Sequence, residues 1–175
     1  MPVIQLTGLS GAGKSTLAYA VKELLEQQGI SCVVVDGDEC RKTICRDLGF
    51  SKADREENIR RLGMLADKFA KAGQVAIIAA INPFDTVRLE LQKEYGAHTI
   101  WIRCDQETLI RRDTKGLYRR ALLPDDHPEK IHNLTGINDP YEIPANPDLV
   151  IDTGANDTDS CIQAFLQFIL RLQRH

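Results

Sequence analysis

No C-x-x-C pair occurs in this 175-residue chain, and its five cysteines (Cys32, Cys40, Cys45, Cys104 and Cys161) are odd in number. That pattern argues against a disulfide framework and for a reduced setting. Cys40 and Cys45 read as small buried hydrophobes rather than reactive groups. No charged leader with an apolar stretch precedes the first apolar run, so no secretory signal is expected. No apolar run approaches the roughly 20 residues needed to cross a bilayer. An excess of positive charge is missing too. Lys and Arg number 22 against 25 Asp and Glu, a net charge of −3, which gives no reason to expect nucleic acid or an anionic membrane as partner. Repeats, low-complexity tracts and linkers are absent. What is left is 43% hydrophobic and 27% charged, the composition of a cytoplasmic globular domain with a sizeable core.

Apolar runs alternate with helical stretches along the whole length. Short strands are expected at Val3–Leu6, Cys32–Val35, Val75–Ile81, Thr99–Arg103 and Leu149–Ile151, each bounded by Gly, Pro, Asp or Asn. Helices are expected at 14–28, 39–47, 51–72, 84–94, 106–121 and 157–173. The third opens with Ser51-x-x-Asp54, a capping-box-like start, and closes before Gly73. The last carries Ile162, Phe165, Leu166, Ile169 and Leu170 at helical spacing. This alternation predicts an α/β fold with a mostly parallel five-stranded sheet between two helical layers, with ligands beyond the carboxyl ends of the strands. The longest irregular stretch, about 122–147, holds five of the seven prolines. A loop of that length is usually functional, and a lid is the obvious use.

The most specific feature is Gly8-Leu9-Ser10-Gly11-Ala12-Gly13-Lys14-Ser15, followed by Thr16. This G-x-x-x-x-G-K-[ST] run has a strand before it and a helix after it, the context a phosphate-binding P-loop needs. Glycines let successive N–H groups curl toward phosphate oxygens, and the helix N-terminus adds partial positive charge. Lys14 then reaches the β- and γ-phosphates and the Ser15 hydroxyl holds Mg²⁺. A nucleoside triphosphate is the expected ligand.

A second constellation follows the second strand. Asp36 and Asp38 stand two residues apart at its carboxyl end, where one carboxylate can serve a metal-bound water and the other the attacking hydroxyl. Asp38 can alternatively cap the next helix. In the helix from Ser51, a buried stripe of Ile59, Leu62, Ala66, Phe69 and Ala70 places Arg55 and Asn58 one turn earlier on the same inward line. A cation near a helix start opposes the dipole, so Arg55 needs an anionic partner, either a substrate phosphate or sulfate or a carboxylate such as Asp38. Arg60 and Arg61 read as solvated or paired with Glu56 and Glu57. Further on, five basic residues occur between Arg111 and Arg120. They read as a lid that brings cations onto transferring phosphates, or more blandly as a solvated face. Asp113-x-x-Gly116 mimics a GTPase switch, but no N-K-x-D follows it.

Taken together, GLSGAGKST (8–16), DGDECR (36–41), DLGFSKADREENIRR (47–61), KGLYRRA (115–121) and LTGINDPYEIP (134–144) resemble the adenylylsulfate kinase family. Members use Mg·ATP to phosphorylate the 3′-hydroxyl of adenosine 5′-phosphosulfate (APS). The resemblance spans nearly the whole chain and implies one P-loop kinase domain over 1–175, with a lid at about 111–147. It implies that Asp36 and Asp38 lie at the Mg²⁺ and the 3′-hydroxyl, with Ser15 also on the metal. Arg41, Arg55 and Asn58 would hold the phosphosulfate end, Phe50 would stack on the substrate adenine, and Ile81, Asn82 and Leu134 would line the acceptor side. Lys115 would act at the phosphates with Lys14, and Arg112 would lie near the ATP base. A homodimer is implied as well.

Three stretches depart from the family pattern. Its F-I-S-P reads Ala80-Ile81-Asn82-Pro83, and Asn82 cannot be the serine that has been assigned as a phosphorylated intermediate. Its F-T-G-I-D reads Leu134-Thr135-Gly136-Ile137-Asn138, which replaces an aromatic face by an aliphatic one. The stretch Pro124–Glu129 is polar, acidic and longer than usual. The residues leave open a kinase for another nucleotide bearing a modified phosphate, or a nucleotide-dependent switch. Against a switch stand the Asp36/Asp38 pair and the inward Arg55, since a switch needs no second anion site.

Overall fold

The computed structural model describes residues 1–174 of the chain. Strand β1 (Val3–Thr7) leads into the P-loop, and helix α1 (Lys14–Gln27) leaves it. Strand β2 (Cys32–Asp36) passes directly into a short helix, α2 (Gly37–Arg41), and a turn-rich stretch joins that to the long helix α3 (Lys52–Lys71). Then follow β3 (Val75–Ala79), α4 (Asp85–Tyr95), β4 (His98–Arg103), α5 (Gln106–Arg112), α6 (Leu117–Ala121), β5 (Leu149–Asp152) and α7 (Thr158–Leu172). All strand pairs are parallel, in the order β2-β3-β1-β4-β5. The sheet is wholly parallel rather than mostly so.

Side-chain alternation divides the core in two. Ile4, Leu6 and Ile77 pack with Leu17, Val21 and Leu25 of α1 and with Phe165 and Ile169 of α7. Val3, Ala76 and Ile78 pack on the other face with Ile59 and Leu62 of α3 and with Val87 and Leu91 of α4. Each fully buried aliphatic side chain is worth about 1.5–3 kcal/mol, and every residue of β1 and β3 is buried. The α3–α4 contact depends on a glycine: a Cβ at Gly63 would come within 2.8 Å of the Leu91 side chain. On Val3's face of β1, however, the next two positions are Gln5 and Thr7, both fully buried. Polar groups so placed must find partners, and these partners lie under the functional site.

Three expected elements are cut short. The helix expected at 39–47 covers only Gly37–Arg41. Asp36, not Asp38, is its cap: the Asp36 carboxylate accepts from the amides of Asp38 and Glu39, so the helix starts earlier, and it ends after Arg41. The helix expected at 106–121 is broken into α5 and α6, because Asp113 (φ 25°) and Gly116 (φ 64°) leave the right-handed region. Asp113 then caps α6 by accepting from the amides of Tyr118 and Arg119. Strand β3 stops at Ala79, and the chain turns at Asn82 (φ 48°), a residue type that tolerates this conformation. From Leu122 to Pro147 no helix or multi-residue strand forms, as expected.

Candidate active site

Beyond the carboxyl ends of β1, β2 and β3 lies a cavity of about 590 Å³. Its lining includes Ser10, Gly11, Gly13, Lys14, Ser15 and Thr16 of the P-loop and the start of α1. Asp36 and Asp38 line it from the end of β2; Arg41, Phe50, Arg55 and Asn58 from α2 to α3; Ile81 and Asn82 from the turn after β3; and Lys115 and Leu134 from the lid. Residues from five separate stretches thus meet in one place. Of the remaining expected residues, Gly8, Leu9 and Ala12 shape the loop without lining the cavity, and Arg112 stands outside it.

The loop's geometry follows from its composition. Gly11 (φ 77°) and Gly13 (φ 97°) occupy the left-handed region, which costs glycine nothing. At Gly8 the reason is space, since a Cβ would collide with the Ile102 carbonyl oxygen of β4. Lys14 curls back and donates to the carbonyl oxygens of Gly8 and Leu9, each at 2.8 Å. Burial, with the Lys115 charge second, lowers the Lys14 pKa to about 7.

The second half of the site is built around carboxylates. Ser15 Oγ donates to Asp36 Oδ2 at 2.7 Å, while the other Asp36 oxygen caps α2. Asp38 projects into the cavity and pairs with Lys115 Nζ at 2.5 Å, although the two are 77 positions apart. That contact joins the lid to the end of β2. The lid is also fixed to the P-loop, because the buried Tyr118 hydroxyl donates to the Ser10 carbonyl oxygen at 2.7 Å.

Arg55 and Asn58 are both buried on the inward line of α3, as the helical period required. The anionic partner of Arg55 is Asp139, not Asp38, whose partner is Lys115. Arg55 Nη2 reaches Asp139 Oδ2 at 2.9 Å and the Asn133 carbonyl at 2.6 Å, Nη1 reaches Thr135 Oγ1 at 3.0 Å, and Nε reaches the Phe50 carbonyl at 2.9 Å. Of the five guanidinium N–H groups, a single one on Nη1 is left to face a ligand. Arg41 is freer. Its Nη1 holds the Leu48 and Gly49 carbonyls, and its guanidinium lies 4.5 Å from the centre of the exposed Phe50 ring. Burial and the neighbouring Arg55 charge hold the Arg41 pKa below its ordinary range. Two pairs of mutually repelling cations, Lys14 with Lys115 and Arg41 with Arg55, line one cavity; a polyanion relieves both.

Asn82 is among the residues that line the cavity. Its side chain is 1% exposed and turns inward, where Nδ2 donates to Gln5 Oε1 at 3.0 Å. Gln5 in turn donates to the Arg88 carbonyl and to Thr99 Oγ1, which fixes the direction of both amides. Leu134 is buried in the lining. Close by, a Cβ on Gly136 (φ 88°) would come within 2.6 Å of the Leu9 side chain. Arg112 donates to the Thr153 carbonyl at 2.9 Å, and the Thr153 hydroxyl donates to Ala12, so Arg112 sits behind the P-loop at the end of β5. Arg60 binds Glu90 across to α4, and Arg61 binds Asp47 as well as Glu57. Cys40 and Cys45 are free, buried thiols with pKa values raised by burial, consistent with inert hydrophobes.

Tyr118, Asp139, Thr135, Arg88, Tyr141 and Glu142 were not picked out as functional by sequence reasoning. All but Arg88 fall within the motifs KGLYRRA and LTGINDPYEIP, yet their partners lie 54 to 134 positions away, beyond any local pattern. Among the described residues no cluster of three or more His, Cys, Asp or Glu is arranged to hold a metal, and no helix is long and apolar enough to cross a membrane.

A P-loop at the end of the central strand, carboxylates at the end of its neighbour but one, and a basic lid over both define a P-loop kinase. Residues 1–152 match the model of the adenylylsulphate kinase family. The chain is 43% identical over 173 residues to the adenylyl-sulfate kinase of Prochlorococcus marinus, covering 97% of this chain and 84% of the relative. The solved structure of the Mycobacterium tuberculosis APS kinase in complex with AMPPNP and APS superposes with a TM-score of 0.88 at 35% identity, covering 96% of each chain. The hexameric APS kinase from Thiobacillus denitrificans gives a TM-score of 0.68 at 30% identity, with 98% of this chain and 28% of that one covered. The chain belongs to the adenylylsulphate kinase family.

Proposed function

We propose that the protein transfers the γ-phosphoryl group of ATP to the 3′-hydroxyl of APS, releasing ADP and 3′-phosphoadenosine 5′-phosphosulfate. The observation that carries this reading is the single cavity that joins Ser10–Thr16 to Phe50, Arg55, Asn58 and Leu134, with Asp36 and Asp38 in its lining. Its P-loop end has the loop geometry and charge for a triphosphate, and its other end has the cations for an anionic acceptor. The triphosphate lies along the P-loop amides, and Lys14 exchanges the Gly8 and Leu9 carbonyls for phosphate oxygens. Ser15 and Asp36 offer a hydroxyl and a carboxylate oxygen, the hard donors that Mg²⁺ accepts when water and phosphates complete its shell. When bound there, Mg²⁺ neutralises charge on the β- and γ-oxygens.

Asp38 accepts the proton of the 3′-hydroxyl, giving up Lys115, whose ammonium then faces the phosphoryl group in flight. Arg41, Asn58 and the free Nη1 hydrogen of Arg55 take the phosphosulfate end. Phe50 stacks on the adenine, and Leu134 closes the other side with an apolar face. Arg112 lies by the ATP base. Transfer is direct and in line, since Asn82 offers no nucleophile and faces Gln5. The reaction suits the cytoplasm, where ATP and reduced thiols coexist. The protein acts as a homodimer, a stoichiometry that sedimentation would decide between two copies and the six of the Thiobacillus relative.

The decisive experiment is a coupled ADP-release assay with APS, AMP and adenosine as acceptors. ADP formation should require APS and ATP together. Equal turnover with and without APS, or turnover with AMP alone, would overturn the reading.

A further inference from the structure

Arg88, on α4, is the largest fully buried side chain in the protein, with 2% exposure. A buried guanidinium is tolerated only when every N–H is engaged, and here all five are. Nε and Nη2 grip Asp85 Oδ1 at 2.9 and 2.6 Å, and Nη2 also reaches the Glu142 carbonyl at 2.6 Å. Nη1 holds the Asn82 carbonyl at 2.6 Å and Thr7 Oγ1 at 3.3 Å. One side chain therefore ties the end of β1, the turn after β3 and the 139–144 stretch to α4.

The same three segments are cross-linked by further bonds. The Glu142 amide donates to the Pro83 carbonyl at 2.8 Å, and its carboxylate accepts from the Asp85 amide at 2.7 Å. Thr7 has one hydroxyl proton, which goes to the Ile81 and Asn82 carbonyls. The Tyr141 hydroxyl, 2.9 Å from Thr7 Oγ1, must therefore be the donor in that contact. Segment 133–142 is consequently pinned at both ends by an arginine. Arg55 holds Asn133, Thr135 and Asp139, and Arg88 holds Glu142. Between those pins Leu134 and Thr135 form one wall of the cavity, and Ile81 and Asn82, tied to the same network, form the adjoining wall.

We propose that Arg88 is a positioning residue for the acceptor: without touching substrate, it locks the 80–83 turn and the 133–142 strap into one rigid wall. The inference rests on the APS kinase reading for the identity of the acceptor. The donor side meets this network only at its edge, where Arg88 reaches Thr7 Oγ1 and the Gly8 amide donates to the Ile81 carbonyl at 3.2 Å; Lys14, Ser15, Asp36 and Lys115 bond to other partners. A loosened wall misplaces the acceptor hydroxyl, and misplacement by about 1 Å can cost as much as about 100-fold in rate.

The test compares Arg88→Lys, which keeps the charge but cannot reach all five acceptors, with the milder Tyr141→Phe, which removes a single bond. Steady-state kinetics are read for both substrates, and amide hydrogen exchange is read across 80–85 and 133–142. Expected for Arg88→Lys are a rise of about 10-fold or more in KM for APS, a KM for ATP within about 2-fold of the unmodified protein, and faster exchange confined to those two segments. Tyr141→Phe should shift the same quantities in the same direction by less, and it carries the test if Arg88→Lys does not fold. Unchanged exchange in folded variants, or equal effects on both KM values, would overturn the proposal. Lack of APS-dependent turnover by the unmodified protein would instead overturn the functional reading, and the exchange data would still judge the clamp.

Discussion

Tyr118 and Ser10 are 108 positions apart, yet the Tyr118 hydroxyl donates to the Ser10 carbonyl at 2.7 Å in a buried contact. The lid helix α6 is thereby fastened to the loop that cradles phosphate. Tyr118→Phe keeps the ring and deletes the donor, leaving a buried carbonyl without a partner. The expected loss of stability is about 1–3 kcal/mol, read from the denaturant midpoint, with a higher KM for ATP because Ser10 and Gly11 lose their anchor. An unchanged midpoint would show that the bond contributes nothing to holding the lid.

Lys14 leads to a pH prediction. Its pKa of about 7 in the free protein, set by burial and then by Lys115, leaves it largely neutral at pH 8. Polyphosphate beside it restores the charged form, so nucleotide binding at pH 8 should take up close to one proton. Calorimetry in two buffers of different ionisation enthalpy measures that uptake directly. Affinity should be highest below pH 7 and fall as pH rises above it, by up to about tenfold per unit. The folding sign is the reverse. Between pH 7 and 10.5 the unfolded chain holds the proton that the folded one has lost, so stability of the nucleotide-free protein rises across that window. Proton uptake that persists in Lys14→Met would assign it to another group.

How legible the site was in the sequence depends on how local each feature is. The P-loop is contiguous, and its strand and helix could be read from apolar runs, so its shape followed from its letters. The inward aim of Arg55 and Asn58 followed from the 3.6-residue period of α3. Their partners did not, because Asp139 lies 84 positions from Arg55 and its contact is made by tertiary folding. The roles of Asp36 and Asp38 were left open between metal, proton and helix cap. Asp36 takes the cap, since its Oδ1 accepts from the Asp38 and Glu39 amides, and Asp38 faces the cavity instead. The broken helix at 113–116 was hidden by the helical spacing on either side of it. Gln5 and Arg88, the buried polar foundation beneath the acceptor wall, left no pattern at all; polarity on a buried face shows only once the face is known.

Asn82 bears on the covalent chemistry. Its amide is 1% exposed and held by Gln5, so neither its chemistry nor its direction suits phosphorylation. Incubating the protein with γ-labelled ATP, with and without APS, should leave no label on the protein after denaturing separation, while APS-dependent product still forms. Stoichiometric label retained on the protein would require a nucleophile elsewhere and end the in-line account.

Asp38 and Lys115 separate stability from catalysis. Both side chains are more than half exposed, at 68% and 55%, and ion pairs of that kind contribute at most about 1 kcal/mol to folding. Their contact therefore matters little to the fold, whereas in the proposed reaction the carboxylate takes the acceptor proton. Asp38→Asn keeps the shape, removes the base and weakens the hold on Lys115. The melting temperature should shift by no more than that exposed pair can contribute, while kcat falls by about 100- to 10,000-fold. Because Asn keeps the size and hydrogen-bonding capacity of the side chain but is no base at neutral pH, KM for ATP should stay close to that of the unmodified protein. A large loss of stability with preserved kcat would make Asp38 a lid latch rather than the base, and Asp36 would then be the carboxylate to test.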